Sequence, residues 1–213
     1  MRVSICFVLL CFVTTLHAGS TFETICKQQK RPKGFDSIVD LNFELKGKPL
    51  SPDVCDRLAP RASAETAILI DEPVDDLPAM LSLFPSLRAL HLEQPGIIKT
   101  LKLGDVSRLT KLTLKGDLRL DALGEILQAK NLSSLAFGGK NSSSYVNLAE
   151  VAKLGALETF MAANVRLKNT PTLEHVRKLS GLLLSNVFVD SEIRKDKLPG
   201  LHQLKLDGVR VSR

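Results

Sequence analysis

The stretch Leu109-Thr110-Lys111-Leu112-Thr113-Leu114 returns twenty-three residues later as Leu132-Ser133-Ser134-Leu135-Ala136-Phe137, and both spell the frame L-x-x-L-x-L. Working outward, the same frame holds at Leu87, Leu90, Leu92, at Leu179, Leu182, Leu184 and at Leu201, Leu204, Leu206, with a degraded copy at Leu157, Phe160, Ala162. Toward the N-terminus it continues as Ala64, Ala67, Leu69 and Ile38, Leu41, Phe43. The copies start at 38, 64, 87, 109, 132, 157, 179 and 201, a beat of 22 to 26 residues. Self-similarity at such a period marks a solenoid, in which each unit is one short supersecondary element. Ile98, Leu101 and Leu103 also fit the frame half a repeat before Leu109, which leaves the register of that turn open.

Within a copy, the alternation at L-x-L is the period of a strand with its leucines on one face. Between the strands the spacing turns helical, over 121–130, 147–154, 172–179 and 190–198, and Asp121, Asn147, Thr172 and Asp190 are good N-cap residue types. A single unit cannot bury its apolar stripe. Stacked neighbours bury it together, giving a parallel sheet on the inner, concave side.

These copies resemble the leucine-rich-repeat family, whose L-x-x-L-x-L-x-x-N/C-x-L pattern recurs every 20 to 29 residues. The likeness runs from about residue 35 to the end and implies an α/β leucine-rich-repeat solenoid with a parallel concave sheet and helices or turns on the convex side. It says almost nothing about function. One feature departs from the family: the polar residue after the strand comes one place early, as in Asn164-Val165-Arg166-Leu167, Asn186-Val187-Phe188-Val189 and Gly208-Val209-Arg210-Val211. A continuous asparagine ladder is therefore in question.

The first residues read as an address. Arg2, an apolar run from Val3 to Leu16 and the small residues Ala18, Gly19 and Ser20 make residues 1–18 a secretory signal peptide. Residues 19–60 are then an N-terminal cap with the first repeat, and 61–213 the remaining repeats. Nothing later approaches the ~20 apolar residues of a membrane span. Cys6 and Cys11 leave with the leader, so Cys26 and Cys55 are expected to form one disulfide in an exported chain, with two unpaired thiols as the alternative. That bridge would stabilise the fold by roughly 3.5 kcal/mol. At the other end, either Arg210 and Arg213 blunt the last strand by charge or that strand pairs edge to edge with a second chain.

In this frame the residues between and after the leucines face the concave side. They begin acidic, become mixed around Lys111 and Lys115, and from Ser134 to Ser185 are small or apolar without charge. The expected docking floor comprises Lys111, Lys115, Ala136, Thr159, Met161, Leu183, Ser185 and Lys205, with Met161 and Leu183 as apolar anchors and the lysines at the rim. The competing explanation is that small residues merely relieve crowding on the inner face.

Catalytic and cofactor signatures are missing from the sequence. His91, His175 and His202 fall in separate repeats without metal-ligand spacing. The acidic stretch 71–76 lacks the alternating oxygen ligands of a calcium loop. Gly138-Gly139-Lys140 is no phosphate loop, since the earlier glycine is Ser134 and the lysine is followed by Asn141. The net charge of +6, or +5 without Arg2, favours solubility, while no Trp and a single Tyr argue against nucleic acid. The expectation is a secreted, non-enzymatic protein with no cofactor that binds a protein ligand. The alternative is an anionic glycan or envelope surface met by Lys111, Lys115, Lys205 and the basic cap segment Lys27, Lys30, Arg31, Lys33, and a hydrolase on this scaffold comes third. Asn131 and Asn141 begin N-glycosylation sequons if the source is eukaryotic.

Overall fold

A computed structural model describes residues 38–40, 64–70 and 77–212. The leader, the Cys26 and Cys55 pair, the basic cap segment and the acidic stretch 71–76 lie outside the described residues, as does Arg213. Among the described residues every strand pairing is parallel. The first wall is formed by β1 (Ile38–Asp40), β2 (Thr66–Ile70), β3 (Ala89–Ile98), β4 (Lys111–Leu120), β5 (Ser134–Gly139), β7 (Thr159–Ala163), β9 (Gly181–Ser185) and β11 (Gln203–Asp207), side by side in that order. The far end of β4 begins a second wall with β6 (Tyr145–Asn147), β8 (Arg166–Lys168), β10 (Phe188–Val189) and β12 (Arg210–Val211).

From β2 onward the leucine frame is the register. Ala67 stands opposite Leu90, Leu90 opposite Leu112, Leu112 opposite Leu135, Leu135 opposite Phe160, Phe160 opposite Leu182 and Leu182 opposite Leu204. The first copy differs: Val39, not Leu41, stands opposite Ala67. Val39, Leu41, Phe43 and Leu45 alternate with period two, so their spacing alone does not fix which of them stands beside Ala67, and a slide by two residues leaves every residue on its original face. The open register at Ile98 also resolves. β3 carries an irregularity between Glu93 and Ile97, after which Ile98 pairs with Leu118, so Leu101 and Leu103 belong to the outer segment and not to an extra strand.

The departure after each strand has a conformational cause. Asn164, Asn186 and Gly208 have φ of 54°, 51° and 61° and turn the chain from the first wall to the second. Asparagine and glycine tolerate this left-handed region best, so the polar residue sits where the corner needs it. Asn186 Nδ2 donates to Asn164 Oδ1 at 2.8 Å on the surface, a short amide pair in place of a continuous ladder.

The convex side holds turns more than helices. Among the described residues the one α-helix is α1 (Leu77–Ser82), and the segments expected to be helical contract to 3-10 turns at Gly124–Gln128, Val151–Lys153, Thr170–His175 and Lys195–Lys197. Strands repeat every ~4.8 Å whereas packed α-helices need 8–10 Å, so flat turns stack in step with the sheet where helices would not. The expected N-cap residues work otherwise. Asp190 accepts from the Thr170 hydroxyl and the Thr170 and Asn169 backbone N–H groups, and Asn147 accepts from Ala149 N–H.

The core fills the space between both walls and the outer turns. Leu112, Leu135 and Phe160 of the first wall, Leu118, Val146 and Leu167 of the second, and Ile126, Val151 and Leu173 of the turns are buried in one cluster. The degraded copy is a volume exchange: Phe160 packs its ring 5.9 Å from Phe137, while the small Ala162 stands opposite Phe137.

Candidate concave binding surface

Pairing places the outward residues of the first wall in three rows. The first runs Ala89, Lys111, Ser134, Thr159, Gly181, Gln203, the second His91, Thr113, Ala136, Met161, Leu183, Lys205, and the third Glu93, Lys115, Gly138, Ala163, Ser185, Asp207. A hollow of about 280 Å³ opens over the second and third rows, from Thr113 and Lys115 to Lys205. It exists because Ala136, Gly138 and Ala163 are short, while Met161 and Leu183, both half-buried, stand taller beside them. The floor is almost entirely apolar and its two ends are charged.

Of the residues expected from sequence, Lys115, Ala136, Met161, Leu183, Ser185 and Lys205 border this hollow. Lys111 and Thr159 share the face but sit on the first row, outside it. Thr113, Gly138 and Ala163 line it without having been singled out; their place in the rows marks their face, but nothing in their residue types marks a hollow.

One rim is built by ion pairs. Glu93 Oε1 lies 3.2 Å from Lys140 Nζ and its Oε2 lies 4.0 Å from Lys115 Nζ. The stem of Lys115 lies across Gly138: a Cβ there would come 2.8 Å from Lys115 Cγ. His91 stands beside Thr113 in the second row, and burial, followed by the positive charge of Lys115, lowers its pKa from the usual 6.5 against the opposing pull of Glu93. The imidazole next to this rim thus takes up a proton less readily than a free histidine.

Gly138-Gly139-Lys140 proves to be a strand end. A Cβ on Gly139 would fall 2.0 Å from the backbone oxygen of Asn164, so the neighbouring corner leaves no room for a side chain. The loop that follows is tied down by Asn141, whose Oδ1 accepts from Ser143 N–H, and by the buried Ser144, whose hydroxyl donates to Gly116 O. Among the described residues no three His, Cys, Asp or Glu side chains gather as a metal site.

No protein-family model and no curated protein matches the sequence. Solved structures do. Internalin C2 from Listeria monocytogenes superposes with a TM-score of 0.51 over 78% of this chain and 78% of its own, at 17% identity. The chain has the leucine-rich-repeat fold. The functional domain of InlJ from the same organism is a further leucine-rich-repeat neighbour, with 16% identity over 72% of this chain and 37% of that one and a TM-score of 0.47. At these identities the likeness concerns the leucine-rich-repeat scaffold, and the surface residues described above are this chain's own. Among the described residues no helix is long and apolar enough to cross a membrane.

Proposed function

We propose that the chain is an exported, non-enzymatic binding protein that holds a protein partner on its concave wall, with Met161 and Leu183 as anchors and Lys115 and Lys205 at the rim. The observation that carries this reading is the apolar hollow itself: a contiguous floor on β5, β7 and β9, closed by Lys115 of β4 at one end and Lys205 of β11 at the other. Apolar surface bordered by polar residues on a rigid sheet is a common docking arrangement, because burying it on contact supplies the driving force while the rim selects the partner. Export rests on the leader at residues 1–18.

The test is affinity capture with residues 19–213 from the source's own surface and secreted material, at low and high salt. Wild-type protein is expected to retain a discrete protein at high salt. Met161→Asp with Leu183→Asp should release it while melting like wild type; unchanged capture by that variant refutes the concave reading. A second reading, an anionic glycan or envelope surface bound through Lys111, Lys115 and Lys205, is supported by the exposed Lys111 and Lys205, neither of which has an ion-pair partner among the described residues. It predicts capture of polymer only, lost as salt screens the charges.

A further inference from the structure

Around the corner from the concave wall, the outward residues of the second wall form a single row. Arg119, Tyr145, Arg166, Phe188 and Arg210 stand opposite one another on five successive strands, so arginine and aromatic side chains alternate across it. At one end Arg119 is neutralised by Asp117, 3.3 Å away, and the Tyr145 hydroxyl donates to Asp121. The other end differs. The guanidinium carbons of Arg166 and Arg210, on the two strands that flank β10, lie 5.8 and 5.7 Å from the centre of the Phe188 ring, and both arginines are exposed. Neither has a carboxylate partner among the described residues. Lys168 adds a third cation, its Nζ 3.8 Å from the centre of the Tyr145 ring.

We propose that this end of the second wall is a binding site for an acidic polysaccharide, whose carboxylate or sulfate groups are taken by Arg166 and Arg210. Three features select that chemistry. The arginines are two strands apart, ~9.6 Å, and stacking on one ring restrains both, so little side-chain freedom is lost when their N–H groups grip an anion. Phe188 and Tyr145 are both engaged by cations, two arginines on the one and Lys168 on the other, instead of standing bare as a platform on which a nucleobase would stack. Beside the row a hollow of about 280 Å³ is bordered by Ser142, Asn164, Asn186 and Phe188. The Asn164–Asn186 amide pair leaves an NH2 group and an amide oxygen without partners among the described residues, suited to the hydroxyls of a sugar. This surface is separate from the concave hollow, and neither reading depends on the other.

The experiment is retention of the full mature chain on immobilised dextran sulfate and polygalacturonate, with neutral dextran as reference and soluble polyglutamate and a single-stranded oligonucleotide as competitors. Wild-type protein should bind both acidic resins and pass the neutral one. Arg166→Gln with Arg210→Gln should weaken binding by at least about tenfold, and Phe188→Leu should weaken it while keeping every charge. The control pair Arg177→Gln with Lys178→Gln removes the same charge from exposed convex positions and should leave retention near wild type, as should Met161→Asp with Leu183→Asp. The proposal is overturned if the two arginine pairs lose binding equally, if wild-type protein passes both acidic resins, or if polyglutamate or the oligonucleotide displaces the protein as well as soluble dextran sulfate does. Equal melting temperatures across the variants separate loss of binding from loss of fold.

Discussion

Alanine placed at two glycines that the sequence does not distinguish should act in opposite directions. At Gly139 the new Cβ would lie 2.0 Å from Asn164 O, 3.0 Å from Asn164 C and 2.8 Å from Ser144 Cβ. Two of these three atoms are backbone at a corner already held in the left-handed region, and the third belongs to a buried residue. No rotamer change relieves the overlap, so β5 must part from β7 or the corner must move. Overpacking that a side chain can absorb costs about 1–3 kcal/mol. With backbone as the obstacle the expected loss is about 3–5 kcal/mol, which in a chain of this size lowers Tm by about 6–20 °C. At Gly155 nothing lies within 4 Å of the added atom, and its φ is outside the left-handed range. There alanine restricts the unfolded chain and should stabilise by about 0.4–1 kcal/mol, a rise of about 1–4 °C. Thermal denaturation of both variants beside wild type reads the pair. Gly139→Ala melting within about 2 °C of wild type would refute the packing of the corner against the strand end.

Two further outcomes concern ionisable groups. Burial pushes the Asp190 carboxyl up, but hydrogen bonds from the Thr170 hydroxyl, the Thr170 N–H and the Asn169 N–H outweigh it and hold the pKa below the ordinary 3.8. Its stabilising effect is therefore present above that value and fades as pH falls through the lowered one. Asp190→Asn should cost about 1–2 kcal/mol by urea unfolding at neutral pH, the exposure of the site tempering a charge-assisted cluster, and should lose part of the acid sensitivity. His91 is also depressed, so the unfolded chain binds more protons than the native one just below pH 6.5. Native stability should be complete above that pH and decline below it. His91→Gln should narrow the Tm difference between about pH 7.5 and about pH 5; an unchanged difference would show that the imidazole is not desolvated.

Much of this molecule was legible in its leucines. A frame recurring every 22 to 26 residues named the repeat, the strand of each copy and the face each strand buries, because a period-two pattern is tied directly to which side of a sheet meets the core. The concave rows followed from the same periodicity, and six of the eight residues singled out there border one hollow. The leader and the cysteine pair rest on sequence alone, outside the described residues.

Three features depended on neighbours that no linear pattern contains. The outer segments have helical spacing, yet they close as 3-10 turns because the strand pitch of adjacent repeats is too narrow for packed helices. Asn164, Asn186 and Gly208 differ in side chain but share one backbone angle, and that angle creates a second wall which the leucine frame does not encode. The second wall in turn brings Arg166, Phe188 and Arg210, each some 22 residues from the next, into one row. The sequence by itself determined the repeat, its buried face and the class of fold, since those need only the spacing of apolar residues. Tertiary structure alone decided which glycine has no room for a methyl group and which cations share a ring, because both are set by chain that arrives a full repeat later.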